Sequence, residues 1–238
     1  MVWLSRCGFG LLCVRCAGYL GCTTEFRKWE GITYSPSKKK LYTAISAVEY
    51  GMEDNKKRGS AETKYDKGTP NHIKSKYNSC GCVMEMDVDD NMSPSKARML
   101  VCGEPDSATD ATNACKVTSI ANPDNVAVIE EYNQLIIGED TGKHTNDLIW
   151  IWDFKYGNMT RVAATPWGSE TTAPYWHTVG NWSYMGFVVQ HPYGETDGSC
   201  DSACMATKKT HADSTSELFP ARRAGHEQTV TLLPPIDI

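Results

Sequence analysis

The sequence predicts an all-β chain built from repeated four-stranded units, and three observations carry that prediction. Seven Trp and eleven Tyr, with scattered Val, Ile and Thr, favour strands. A hairpin pattern occurs twice: "EGITYSPSKKKLYTAISA" from Glu30 and "DNVAVIEEYNQLIIGEDT" from Asp124 each run from an acid to a Leu eleven residues on, and the acids lie 94 residues apart. The segments after each hairpin repeat too, as pairs of short alternating stretches separated by Gly, Asn, Asp, Pro or Lys turns. Four antiparallel strands recurring along a chain are the sequence form of a propeller blade.

Taken in order, the first 22 residues carry four Cys, four Gly and no acid. Arg6 and Arg15 bracket only eight residues, two of them Gly, a weak match to a secretory leader, so 1–22 is set apart as an N-terminal tail. The first blade spans about 26–104, with its later strands at 81–89 and 97–102. It carries a mixed-charge insertion, "VEYGMEDNKKRGSAETKYDKGTPNHIKSKYNS", that reads as a long solvated loop of functional length. The second blade spans 122–166 and the third 170–236, the latter interrupted by a polar loop over 200–227. Propellers close with roughly four to eight blades. Three blades therefore read as a partial propeller, and the chain as a fragment of a larger ring.

Composition limits the function classes. A net charge of −5 and a pI near 5.7 argue against a nucleic-acid partner, which would require a basic face. No apolar run reaches the roughly eighteen residues of a transmembrane helix. Ten Cys suit an oxidising compartment, secreted, extracellular or periplasmic. Cys102 and Cys115 bracket a polar insert, as do Cys200 and Cys204, which points to disulfides pinning loops. Metal binding is the alternative, because Cys80-Gly-Cys82 could hold a soft metal, but no two C-x-x-C pairs stand at zinc spacing. The sequons Asn158-Met-Thr160 and Asn181-Trp-Ser183 fit a secreted surface.

Three acids occupy equivalent places. Glu30, Asp124 and Glu170 each open the first strand of a unit, and in a propeller that strand lines the central channel. Carboxylates gathered at one spot need a cation to neutralise them, and oxygen ligands suit calcium, iron(III) or manganese. The plainer alternative is that each acid makes a turn. Asn125 orients Asp124 or adds an oxygen; Glu139 and Asp140 return at the hairpin's far end, one remove from the ligands. Arg27 and Lys28 precede Glu30 and are candidates to clamp an anion, or else a basic pair keeping a strand edge soluble. His191, after "MGFVVQ", is a further candidate, although a His in that place is more often structural. No G-x-S-x-G elbow or P-loop occurs, so an esterase triad or a nucleotide kinase has no support.

"FRKWEGITYSPSKKKLYTAIS", "CGCVMEMDVD", "NPDNVAV", "LIIGEDTGKHTNDLIWIWD" and "SETTAPYW…FVVQHPYGE" together resemble, in order, the C-terminal half of PhoX-type alkaline phosphatases, more like their algal members than typical bacterial ones. The resemblance covers residues 25–196. It implies a secreted, six-bladed propeller that hydrolyses small phosphomonoesters with calcium and iron. It also implies metal-ligand roles for Glu30, Asp124 and Glu170, and an anion contact from Arg27 or Lys28, with the Arg one residue off the family's Arg-x-Glu spacing. The family's Cys and further Glu ligands come from an N-terminal half with no counterpart here. Two other readings stay open: a non-catalytic, calcium-stabilised propeller module that binds a partner, and a propeller hydrolase of lactones or organophosphates.

Overall fold

The computed structural model describes residues 23, 25–67, 71–107 and 113–192, together with the backbone of a strand at 229–232. The tail over 1–22, Cys200, Cys204 and the polar loop over 200–227 lie outside these residues. The described chain is all-β, with a single 3-10 turn, and divides into two compact units.

The larger unit holds three antiparallel sheets. The first comprises β1 (Trp29–Ser35) and β2 (Lys40–Ile45), with β5 (Cys82–Val88) and β6 (Pro94–Cys102), in the order β1-β2-β5-β6. Numbered between them, β3 (Lys56–Lys57) and β4 (Ser60–Ala61) belong to the smaller unit. The second sheet is a meander of β7 (Pro123–Ile129), β8 (Gln134–Glu139), β9 (Leu148–Asp153) and β10 (Asn158–Ala164). The third joins β11 (Glu170–Val179), β12 (Trp182–Gln190) and β13 (Thr229–Leu232). The strands expected from the repeat are thus present, and none of the sheets closes on itself.

Alternation along β8 and β9 explains how the sheets pack. Leu135 and Ile137 of β8 join Leu148 and Trp150 of β9 in a core with Tyr42, Ala44 and Val83 of the first sheet. The intervening Ile136 and Ile149 face the opposite way and pack with Met185, Phe187 and Val189 of β12. A strand buried on both faces reads as a continuous apolar run. "LIIG" and "LIWIW" are such runs because their sheet is the middle layer. The outermost strands β6 and β10 instead carry exposed Lys96, Arg98 and Arg161, charges that blunt an open sheet edge.

The insertion does not behave as a solvated loop. Together with residues 25–28, segment 48–78 forms the smaller unit, with Met52 and Glu53 buried. Tyr50, Asn55 and Arg58 all adopt left-handed backbone (φ 58°, 51° and 51°). The Glu53 carboxylate stabilises that path by accepting bonds from the backbone N–H groups of Tyr50 (3.2 Å), Arg58 (2.6 Å) and Gly59 (2.7 Å). A buried carboxylate that gathers backbone donors compensates for its lost hydration.

The four described cysteines form two disulfides, neither of them around the loop expected between Cys102 and Cys115. Cys102, at the end of β6, bonds Cys82, its register partner on β5. Cys115 bonds Cys80. Cys80 and Cys82 are therefore both consumed, and the C-x-C pair is not a soft-metal site. The spacing Cys102…Cys115 marks a loop, but the pairing follows the β5–β6 register.

Candidate functional site

The first strands of the three sheets lie beside one another, and they touch at their starts. Gly31, next to Glu30, sits so close to β7 that a Cβ there would meet the Asp124 carbonyl oxygen at 2.5 Å and the Asn125 Cα at 3.0 Å. Only a residue without a side chain permits that approach. On the other side of β7, the Asn125 amide donates to the Thr171 carbonyl at 3.4 Å, and Thr171 follows Glu170. Thr171 Oγ1 in turn donates to the Glu139 carbonyl at 2.7 Å, packed where Gly138 leaves space. Glu30, Asp124 and Glu170 therefore open three neighbouring strands at points where their backbones meet.

The side chains differ in setting. Glu30 is exposed and accepts a bond from the Ser46 hydroxyl at 3.5 Å. Asp124 is half-buried and accepts from the Asn125 amide, so Asn125 does orient it. Glu170 is half-buried. Asp140 is exposed, and His191 is exposed just beyond β12 in left-handed backbone (φ 48°).

Glu139 has a setting of its own. It is wholly buried, and its carboxylate accepts from the Ala121 N–H (2.8 Å), the Trp150 indole (2.7 Å) and the Leu148 N–H (3.0 Å). The His144 Nδ1 lies 2.9 Å away, while the other ring nitrogen lies 3.3 Å from the Lys116 carbonyl. With acceptors at both nitrogens the imidazole is best satisfied as the cation. Glu139 and His144 thus form a buried ion pair that ties β8 to β9 and to the segment before β7.

Asp147, just before β9, is also buried and accepts from the Thr141 N–H at 3.1 Å. Burial pushes its carboxyl up to about 9; the Thr141 N–H bond opposes the rise, and the charges of Glu139, Asp140 and Glu170 add to it. The end of β8, the start of β9 and the start of β11 therefore share a negative field. A group whose folded pKa is raised contributes stability that is fully present below its ordinary 3.8 and is lost as pH rises towards 9. Asp147→Asn keeps an acceptor for Thr141 and removes the titration. The variant should melt higher than the wild-type chain at pH 8 without added cations, and the difference should vanish near pH 3.5; a lower melting point at pH 8 would contradict this assignment. Neither His144 nor Asp147 stood out in the sequence. They lie in "EDTGKHTND", whose polar character reads as a turn.

Arg27 is a member of the smaller unit. Its Nε donates to Glu49 at 2.6 Å, and its guanidinium carbon stands 4.3 Å from the centroid of the Tyr50 ring. Arg58 donates to the other Glu49 oxygen at 2.8 Å. Burial raises the Glu49 carboxyl, but the two guanidinium groups outweigh it and hold the group below its usual value. Lys28, beside Arg27, is exposed and left-handed (φ 54°).

These residues do not by themselves form a metal centre. Among the described residues no group of three or more His, Cys, Asp or Glu side chains comes close enough to hold an ion. Glu139 is already saturated by protein donors. What the strand starts offer is a row of oxygen donors in a negative field, of the type that hard cations take. No described helix is long and apolar enough to cross a membrane, and the two disulfides are compatible with an extracellular setting.

No protein-family model matches this sequence, and no curated protein is detectably similar to it. The solved structure of Pseudomonas fluorescens PhoX in complex with vanadate, a transition-state analogue, is similar over 74% of this chain at 19% identity, with a TM-score of 0.52. The match spans 31% of that protein's length. At that identity the likeness is one of architecture, and it shows that the described sheets share a PhoX-like fold.

Proposed function

We propose that this chain is a portion of a PhoX-like propeller phosphatase, akin to the algal members, that hydrolyses small phosphomonoesters outside the cytoplasm with calcium and iron. One observation carries the reading: the three acids that open the repeated units also open three neighbouring strands, in a fold like that of PhoX. In it Glu30, Asp124 and Glu170 are one wall of a metal site, with Asn125 and Asp140 behind them. Calcium and iron, when bound, would supply charge neutralisation. Arg27 or Lys28 holds the phosphate, the former through guanidinium N–H donors other than the Nε that bonds Glu49. The remaining ligands come from sequence beyond this chain, and the ring is completed by further blades.

The test is p-nitrophenyl phosphate turnover by the folded full-length protein, which carries the further blades and ligands, with calcium and iron present, beside calcium titration. Chelator-sensitive turnover that falls at least about 100-fold in Glu170→Gln is the expected result. A folded full-length protein that neither turns over nor binds calcium overturns the reading. Calcium binding without turnover favours a non-catalytic module instead.

A further inference from the structure

The smaller unit contains a cleft that the proposed reaction leaves unexplained. Its volume is about 380 Å³, and Glu25, Phe26, Arg27, Tyr50, Gly51 and Tyr65 line it. Three of the six are aromatic. The rings of Tyr50 and Tyr65 meet edge to face, with centroids 4.8 Å apart, so together they form two walls of a corner. Gly51 forms part of the lining because a Cβ there would press on the Glu25 backbone at 3.2 Å.

Charge around the cleft is positive. Arg27, Arg58 and Lys57 stand 4.3, 5.5 and 5.7 Å from the Tyr50 centroid, and Lys64 stands 5.6 Å from that of Tyr65. Against them are Glu49, shared by both arginines, and Glu25, whose oxygens are taken up by the Thr23 hydroxyl (2.9 Å) and the Ile73 N–H (2.8 Å). Residues 25–28 and 48–78 carry nine Lys and Arg against six Asp and Glu, in a chain whose net charge is −5. The acidic bulk and this basic patch therefore have opposite signs.

Tyr50 itself is held under strain. A bulky residue with φ of 58° occupies a conformation that side chains disfavour, and three bonds to Glu53 hold this segment there. That backbone places the Tyr50 ring under Arg27. The cost is understandable if the ring is needed in that place.

We infer that this cleft receives the aromatic leaving group of an aryl phosphomonoester, with Arg27 holding the anionic end and Phe26, Tyr50 and Tyr65 packing on the ring. The inference rests on Arg27 as an anion contact, as in the proposed function, but it concerns binding and needs no turnover. An aliphatic phosphate fills none of the aromatic corner, and a cationic aromatic meets the wrong field. One well-packed aromatic pair discriminates by about tenfold.

Titration of the full chain with phenylphosphonate, whose phosphorus–carbon bond resists hydrolysis, tests this directly. Phenylphosphonate should bind about tenfold more tightly than methylphosphonate. Tyr65→Ala should erase that preference, Tyr65→Phe should keep it, and Arg27→Gln should weaken both phosphonates. Equal affinity for the two phosphonates, absence of binding, a preference that survives Tyr65→Ala, or benzylamine binding as well as phenylphosphonate would each overturn the inference. Failure of the phosphatase reading shows separately, in the p-nitrophenyl phosphate assay.

Discussion

Glu139→Ala is expected to destabilise the chain by about 4 kcal/mol, within the range seen when one member of a buried ion pair is removed. The substitution leaves four donors facing a void: the Ala121 and Leu148 N–H groups, the Trp150 indole and the His144 ring. An unsatisfied buried donor costs about 1–3 kcal/mol, and partial relaxation keeps the total below the sum. Urea unfolding followed through tryptophan fluorescence should show a lower midpoint with little change in slope. A loss below about 1 kcal/mol would mean that water reaches the site. The pair also sets a pH dependence. Burial pulls the His144 imidazole down, but the bond and charge of Glu139 outweigh it, and the group lies above its ordinary 6.5. Its contribution is therefore fully present below 6.5 and fades as pH rises through the raised value, so the cost of Glu139→Ala should shrink in alkaline buffer.

The strands were legible because burial writes itself into the sequence with a period. Leu135 and Ile137 face one sheet and Ile136 the other, and that is enough to mark β8 as the centre of a stack. The acids at strand starts were legible for a related reason: a repeat puts equivalent residues in equivalent places, and Gly31 and Asn125 then bring those places together. What the sequence did not disclose depends on partners far along the chain. His144 becomes a cation only beside Glu139 and the Lys116 carbonyl, and Asp147 titrates abnormally only because it is buried near other acids. The insertion looked like a loop because its order comes from scattered bonds, such as those to the Glu53, Asp66 and Glu25 carboxylates, which no periodicity announces. Glu139 itself was noticed for its place at the hairpin's end, yet its chemistry is structural: four protein groups occupy it.

Removing Cys80 and Cys115 together should cost about 4 kcal/mol, and removing Cys82 and Cys102 about 3 kcal/mol, because the loops they close differ in length. The sequence separations are 35 and 20 residues. The consequences should differ more than the magnitudes. Cys82–Cys102 joins register partners on adjacent strands already held by backbone bonds. Cys80–Cys115 instead anchors the segment that leads into β7. That segment supplies the Lys116 carbonyl to His144 and the Ala121 N–H to Glu139, so the disulfide holds two of the groups on which the buried ion pair depends. Cys80→Ala/Cys115→Ala combined with Glu139→Ala should therefore destabilise by less than the sum of the two, by about 1 kcal/mol or more, since each removes part of what the other needs. A strictly additive result in urea unfolding would show that the segment keeps its place without the disulfide, and that the ion pair is assembled by β8 and β9 alone.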